Sequence, residues 1–383
     1  MTDTSALRDY RLSDNLAAEG GAVFLTGTQA LVRLLLAQKR LDERAGLSTA
    51  GFVSGYRGSP LGRYDHALWR AEGLLKRHHI HFQPGVNEEL AATAVWGSQQ
   101  VNLFDGARYD GVFALWYGKG PGVDRSGDAF KHGNAAGSSI HGGVLAIAGD
   151  DAGGRSSTIV HQSEPAFAAA TMPILYPSDV QEILDYGLLG IALSRYSGCW
   201  VGFKLHSDVA ESTASVIVDP ARAMPVTPVD FEVPAAGLNI RWPDSTHDAE
   251  ERLLHFKLDA AKAFVRANGL DRVVLDSPRA RFGIVTVGKT YVDVRQALSI
   301  LGVDDALGAE IGLRLYKVAA PSPLEGEGIR NFASGLAEIL VIEEKRPLLE
   351  PQVKDHLYAL PPSERPRVLG KFDEDGRRLL PTA

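Results

Sequence analysis

Four glycine-rich stretches, each carrying charged or hydroxyl side chains, hold most of the chemistry this 383-residue sequence could perform. In Gln83-Pro84-Gly85-Val86-Asn87-Glu88-Glu89-Leu90 a turn gives way to small and apolar residues, Ala91 to Gly97. A helix therefore starts near Asn87, with Glu88 in its first turn. Acidic residues at helix starts have an ordinary explanation, the favourable interaction with the helix dipole. The helix beyond is nearly all small or apolar, however, and so is expected to be buried. A carboxylate at the mouth of a buried helix is less ordinary than one on a solvated face. Both readings stand on the residues alone.

The stretch Gly55-Tyr56-Arg57-Gly58-Ser59-Pro60-Leu61-Gly62 offers a hydroxyl at Ser59 and glycines that let backbone approach a ligand closely. It reads equally as a plain turn. Trp116-Tyr117-Gly118-Lys119-Gly120-Pro121-Gly122-Val123-Asp124-Arg125 has a lysine among glycines but lacks the spacing of a nucleotide phosphate loop. Gly149-Asp150-Asp151-Ala152-Gly153-Gly154-Arg155-Ser156-Ser157 precedes His161-Gln162. Its paired aspartates suit Mg²⁺, yet a turn and helix cap is the favoured reading.

None of the 11 histidines has zinc-site spacing. His78, His79 and His81 would diverge on a strand or loop, while His132 and His161 are better placed for polar contacts. Cys199, the one cysteine, lies in the apolar run Ser197 to Gly202 and reads as core. One thiol can neither close an internal disulfide nor hold an iron–sulfur cluster. No nucleophile elbow or dinucleotide fingerprint follows a strand.

The elements that must position these residues alternate. Ala22–Gly27, Ala50–Ser54, Gly111–Trp116, Gly143–Ala148 and Trp200–Leu205 read as strands, several of them continuously apolar, as suits parallel strands covered on both faces. Helical spacing falls between them, over 29–42, 87–103 and 177–194. The pattern predicts an α/β fold with a doubly wound, mostly parallel sheet over residues 1–218. Prolines cluster from Pro220 to Pro243, and a charged helix is expected over 245–268, so 219–280 reads as linker and helix. A smaller α/β domain is expected over 281–383, with strands at 282–288, 311–318 and 338–342. The polar final stretch, Leu369 to Ala383, reads as a cut rather than a finished fold.

Composition excludes several classes. Forty basic against 47 acidic residues give a net charge of -7, which argues against nucleic acid as the main ligand. No apolar run approaches membrane-spanning length, and residues 1–15 contain no apolar signal core. A cytoplasmic protein without a membrane or nucleic-acid partner is expected.

In order, the loops resemble those of the 2-oxoacid:ferredoxin oxidoreductases, most closely the indolepyruvate type. Gly27-Thr28-Gln29-Ala30 stands where the family has Gly-Asn-Glu-Ala. Tyr56-Arg57-Gly58-Ser59-Pro60 is similar to its Tyr-Pro-Gly-Thr-Pro loop, and Asn87-Glu88-Glu89 to its Asn-Glu-Lys helix start. Lys119-Gly120-Pro121-Gly122-Val123-Asp124 resembles Lys-His-Val-Gly-Leu-Asn. Asp150-Asp151-Ala152-Gly153 with Ser156-Ser157 resembles the Asp-Asp-Pro-Gly loop, and Met172 to Asp179 the following strand and Pro-Ser-Asp helix start. Arg57 and Gly120 depart from the archaeal-type pattern and look more like fused, single-chain members.

The resemblance implies the pyrimidine-binding half of a thiamine diphosphate enzyme, followed by a transketolase C-terminal-like domain. Glu88 would be the catalytic carboxyl that contacts the thiamine pyrimidine, with Tyr56, Gly58 and Pro60 beside the cofactor. Arg57, Ser59, Lys119 and Asp124 would face an aryl 2-oxoacid, which is decarboxylated to an acyl-CoA. No metal ligand is assigned to this chain. Mg²⁺ and the diphosphate, and the iron–sulfur clusters, would be held by other domains or subunits. Those parts, coenzyme A and a ferredoxin-type acceptor are the implied partners, and a homo-oligomer is expected. The alternatives are the pyrimidine half of another thiamine enzyme, of the dehydrogenase β or transketolase-like kind, or a truncated, non-catalytic relative acting as an interaction module.

Overall fold

The computed structural model describes residues 10–154 and 160–381, so the Ser156-Ser157 pair lies outside the described residues. The main sheet has six strands in the order β3-β2-β4-β5-β7-β6, all parallel. They are β2 (Thr49–Gly55), β3 (Ile80–Phe82), β4 (Gly111–Lys119), β5 (Val144–Asp150), β6 (Ile174–Leu175) and β7 (Val201–His206). The apolar runs of β4 and β5 are buried almost throughout because helices cover both faces of the sheet. Leu31, Leu35, Ile183 and Ile191 pack on one face, and Ala92, Val95, Trp116 and Phe130 belong to the core of the other.

The strand expected at Ala22 does not join this sheet. β1 (Ala22–Thr26) pairs antiparallel with β8 (Thr213–Ile217) in a separate two-stranded ribbon. Its residues alternate, Val23 and Leu25 inward and Phe24 outward, which suits a ribbon covered on one side only. Thr26 then starts the helix Gly27–Arg44 with a reciprocal capping box to Gln29.

The charged helix expected over 245–268 is broken into Thr246–Arg252, a π-helical turn at Leu253–Lys257, and Leu258–Ala267. The π turn carries Lys257 inward. Its ammonium donates to the carbonyls of Asn134 and Ala135 at the end of the helix Gly127–Ala136, where the helix dipole favours a cation. Burial lowers its pKa to about 8.

A second sheet, β13-β12-β10-β11-β9, contains β9 (Arg272–Leu275), β10 (Phe282–Val287), β11 (Leu313–Val318), β12 (Glu338–Ile342) and β13 (Arg367–Leu369). β9 is its antiparallel edge and lies in the stretch read from sequence as linker and helix. The other pairings are parallel. The two sheets are joined directly: Ile174 N–H donates to Ser322 O and Tyr176 N–H to Ala319 O. Lys317 on β11 reaches across to Ser178 (2.8 Å) and Glu182. No helix among the described residues is long and apolar enough to cross a membrane.

Candidate functional site

All four glycine-rich loops leave the carboxyl ends of β2, β3, β4 and β5, which are neighbours in the order β3-β2-β4-β5. Ligands of open α/β sheets bind at that edge. The loops are also tied to one another. Gly85 N–H donates to Gly55 O (2.8 Å) and Tyr56 N–H to Tyr117 O (3.0 Å). A Cβ at Gly58 would stand 3.0 Å from Lys119 Cβ, so the second loop lies directly on the third.

Glu88 begins the helix Glu88–Gln99, whose N-cap Asn87 accepts from Leu90 N–H at 2.9 Å. Ala91, Ala92 and Val95 bury one side of that helix against β2 and β4. Trp116 Nε1 on β4 donates to the Glu88 carbonyl (2.9 Å), which fixes the helix start against the sheet. The Glu88 side chain is 18% exposed, and the nearest cation is Arg125 Nε at 3.9 Å. Glu89 is exposed. The adjacent acids thus occupy different environments, as a 100° step along the helix requires.

The β4 loop coils into the short helix Gly120–Arg125, and its two glycines are occupied space. A Cβ at Gly122 would stand 2.6 Å from Glu88 Cγ, and one at Gly120 only 2.2 Å from His161 Nδ1. Glycine is required at both because side chains from other loops already lie against the backbone. His161 Nε2 pairs with the exposed Asp124 at 2.8 Å, and its Nδ1 faces the buried Asp150 at 3.7 Å. Attraction to Asp150, with a further contribution from Asp124, raises the imidazole pKa against the opposing effect of burial. Asp150 accepts from Ser163 through both the backbone N–H (2.7 Å) and the hydroxyl (2.5 Å). Burial opposes its charge, but His161, Lys204 and Ser163 outweigh that and lower its pKa. Among the described residues no group of three or more His, Cys, Asp or Glu could hold a metal ion.

The expected site residues fall into two groups. Glu88, Gly58, Lys119 and Asp124 are linked through the β4 loop and its short helix. Tyr56 and Arg57 stand exposed at the tip of the β2 loop. Ser59 and Pro60 turn the other way, lining a cavity of about 900 Å³ with Thr26, Thr28, Gln29 and Arg63; Glu88 does not line it. His132 stays on the surface, stacked on Trp96 and 3.7 Å from Asp128. Cys199 is fully buried, and burial raises its thiol to about 11.

Sequence reasoning passed over a buried charge network behind this edge. Lys204 Nζ pairs with Glu164 (2.6 Å) and, from the second sheet, Glu344 (2.9 Å). Glu344 also accepts from Tyr176 (2.6 Å) and lies 3.1 Å from His206 Nε2. Burial works against both charges, yet their mutual attraction holds Lys204 well above and Glu344 well below the usual ranges. The one sequence signal was a lysine inside the otherwise apolar β7.

Comparisons with known proteins fit this geometry. Residues 271–379 match the family model for the indolepyruvate ferredoxin oxidoreductase middle domain. The chain is 26% identical over 343 residues to the indolepyruvate oxidoreductase subunit IorA of Methanothermobacter thermautotrophicus, covering 88% of this chain and 49% of that one. The Pyrococcus horikoshii IorA is 23% identical over 357 residues, again 88% of this chain and 47% of the relative. The chain thus spans about half the length of the curated relatives it matches. Among solved structures, a 2-oxoglutarate:ferredoxin oxidoreductase from Magnetococcus marinus superposes with a TM-score of 0.66 at 15% identity, over 94% of this chain and 63% of that chain. A split-gene transketolase gives 0.54 at 14% identity, over 91% and 90%. By sequence and by fold, the chain is a relative of the indolepyruvate:ferredoxin oxidoreductases.

Proposed function

We propose that this chain supplies the pyrimidine side of a thiamine diphosphate site in a 2-oxoacid oxidoreductase, and that it acts with diphosphate-binding and cluster-bearing parts found elsewhere. The observation that carries this reading is the placement of Glu88: a mostly shielded carboxyl at a helix start, on the carboxyl edge of a parallel sheet, packed over Gly122. Residues present here suit that half of the cofactor. A carboxyl with its backbone pinned by Trp116, and two glycines that bring the β4 loop close, make a cradle for a flat heterocycle with a ring nitrogen to be hydrogen-bonded. When bound, the cofactor supplies the stabilised carbanion chemistry that loss of CO₂ from a 2-oxoacid needs.

The chain's own residues hold and orient. Glu88 holds a proton against the pyrimidine ring, and Tyr56, Gly58 and Pro60 wall the cofactor's approach. Lys119 and Asp124, with Arg57 at the loop tip, present charge toward the 2-oxoacid, and Ser59 orients their loop from its other face. His161 fixes Asp124, so the carboxylate at the edge of the site is held rather than free to swing. An aryl 2-oxoacid, coenzyme A and a ferredoxin-type acceptor are the proposed co-reactants, with residues 1–218, 219–280 and 281–383 as site domain, connector and flanking domain.

The reading is tested by assembling the chain with its natural partner parts and supplying indolepyruvate, coenzyme A, thiamine diphosphate and a viologen dye. Dye reduction that needs all of them, and that the 383-residue chain alone does not give, is the expected result. Reduction by the chain alone would overturn the division of labour. No reduction by the assembly with any 2-oxoacid would overturn the activity.

A further inference from the structure

The carboxyl edges of the two sheets face one another across a cleft that the thiamine reading does not use. Its volume is about 430 Å³, within the range of small-molecule sites. One wall is the start of the helix Lys289–Ile300, which follows β10 through Gly288. Gly288 has φ +50 and lies against the Tyr176 ring, where a Cβ would stand 2.5 Å from three ring carbons, so only glycine fits. No side chain caps this helix. Thr290 turns its hydroxyl inward to Val287 O and Ile342 O instead. The first-turn amides therefore face the cleft with the positive end of the helix dipole behind them.

The opposite wall holds an independent feature. Asp151 is only 5% exposed, lines the same cleft, and its Oδ1 has no hydrogen-bond partner. A buried carboxylate oxygen without a donor is costly and calls for one. The cleft's lysines are engaged elsewhere. Lys289 pairs with Asp293 (3.0 Å) and Asp208 (3.6 Å), Lys345 donates to Ala152 O (2.7 Å), and Lys371 donates to the carbonyls of Glu343 and Pro381. One wall thus lacks an acceptor and the other a donor, with Ile342 and Leu380 supplying apolar lining.

We propose that this cleft binds a small zwitterion of the α-amino-acid class, with its ammonium on Asp151 and its carboxylate at the start of the helix Lys289–Ile300. A ligand carrying only one of the two charges satisfies only one wall. Because the walls come from different sheets, an occupant also braces the contact between them, through the segment that carries Glu344.

Titration calorimetry on the 383-residue chain tests this without reference to any reaction. L-Phenylalanine is the probe, with 3-phenylpropanoate lacking the ammonium and 2-phenylethylamine lacking the carboxylate. Saturable binding is expected for L-phenylalanine and at least about tenfold weaker binding for each control, the scale of one hydrogen bond to a charged group. Asp151→Asn should weaken L-phenylalanine binding by a similar factor while melting no lower than the parent, since it removes an unpartnered buried charge. Absence of binding, equal binding of 3-phenylpropanoate, or unchanged affinity in the folded Asp151→Asn variant would each overturn the proposal. The comparison of the three probes on the parent chain decides it even if that variant fails to fold.

Discussion

At the scale of single residues, the account turns on contacts that glycine permits. Gly122→Ala places a methyl 2.6 Å from Glu88 Cγ and must displace that side chain. Loss of catalysis by about tenfold or more is expected in the assembled enzyme, since small displacements at a reacting centre are costly, while the denaturation midpoint moves little. A large stability loss with normal turnover of the folded fraction would contradict it. Ser59→Ala should raise KM or lower kcat without unfolding. Because Ser59 opens onto a cavity separate from Glu88, unaltered kinetics would assign its loop to turning the chain alone. His161 has its pKa raised by Asp150 and Asp124. Its contribution to stability is therefore full below the ordinary imidazole pKa and lost as pH rises through the raised value. His161→Gln should flatten the stability-versus-pH profile in that window, and an unchanged profile would show that the pairing does not form.

At the scale of elements, Asn87 ties sequence to site. Removing its cap by Asn87→Ala should cost about 1 kcal/mol and, by fraying the turn that carries Glu88, weaken cofactor affinity as well. A stability loss without any affinity change would mean that Trp116 alone sets the helix start. This part of the molecule was legible because local rules govern it. The apolar runs of β4 and β5 mark buried parallel strands, and Asn87 followed by small residues marks a helix start. What escaped the sequence was non-local. β1 has the composition of a sheet strand, but only its partner β8, nearly two hundred residues on, determines that the pair forms a separate ribbon. The π turn at Leu253–Lys257 follows from a tertiary demand, an ammonium on the carbonyls ending the Gly127–Ala136 helix, which no periodicity encodes. His161 carried a local hint and was set among the polar contacts, but its place against Gly120 and Asp124 depends on the fold.

At the scale of the whole molecule, a buried ionic network joins the two sheets behind the site. Lys204→Met would leave Glu164, Glu344 and Asp150 facing one another without their shared cation. Breaking such a buried group costs roughly 3–5 kcal/mol, and urea unfolding should show that loss. A variant as stable as the parent would mean that the network is not what holds the sheets together. Asp271 sits beside the same junction, accepting from the Ala319 and Ala320 amides. Burial raises its pKa from 3.8 to about 7 despite those amides. With the folded value raised, its contribution is full below 3.8 and is lost as pH climbs through about 7. Asp271→Asn should remove that part of the fall, and an equally steep decline in the variant would place the titration elsewhere.

The central claim, that Glu88 is the carboxyl serving the thiamine ring, is tested most directly by exchange of the C2 proton on thiamine diphosphate bound to the assembled enzyme. Glu88→Gln is nearly isosteric and keeps the helix start, so the cofactor should still bind while exchange slows by about a hundredfold or more, the scale of general acid–base catalysis. Glu89→Gln, on the exposed neighbouring position, should leave exchange close to that of the parent. Exchange that persists in Glu88→Gln but fails in Glu89→Gln would move the role by one residue, and persistence in both would contradict the thiamine assignment itself.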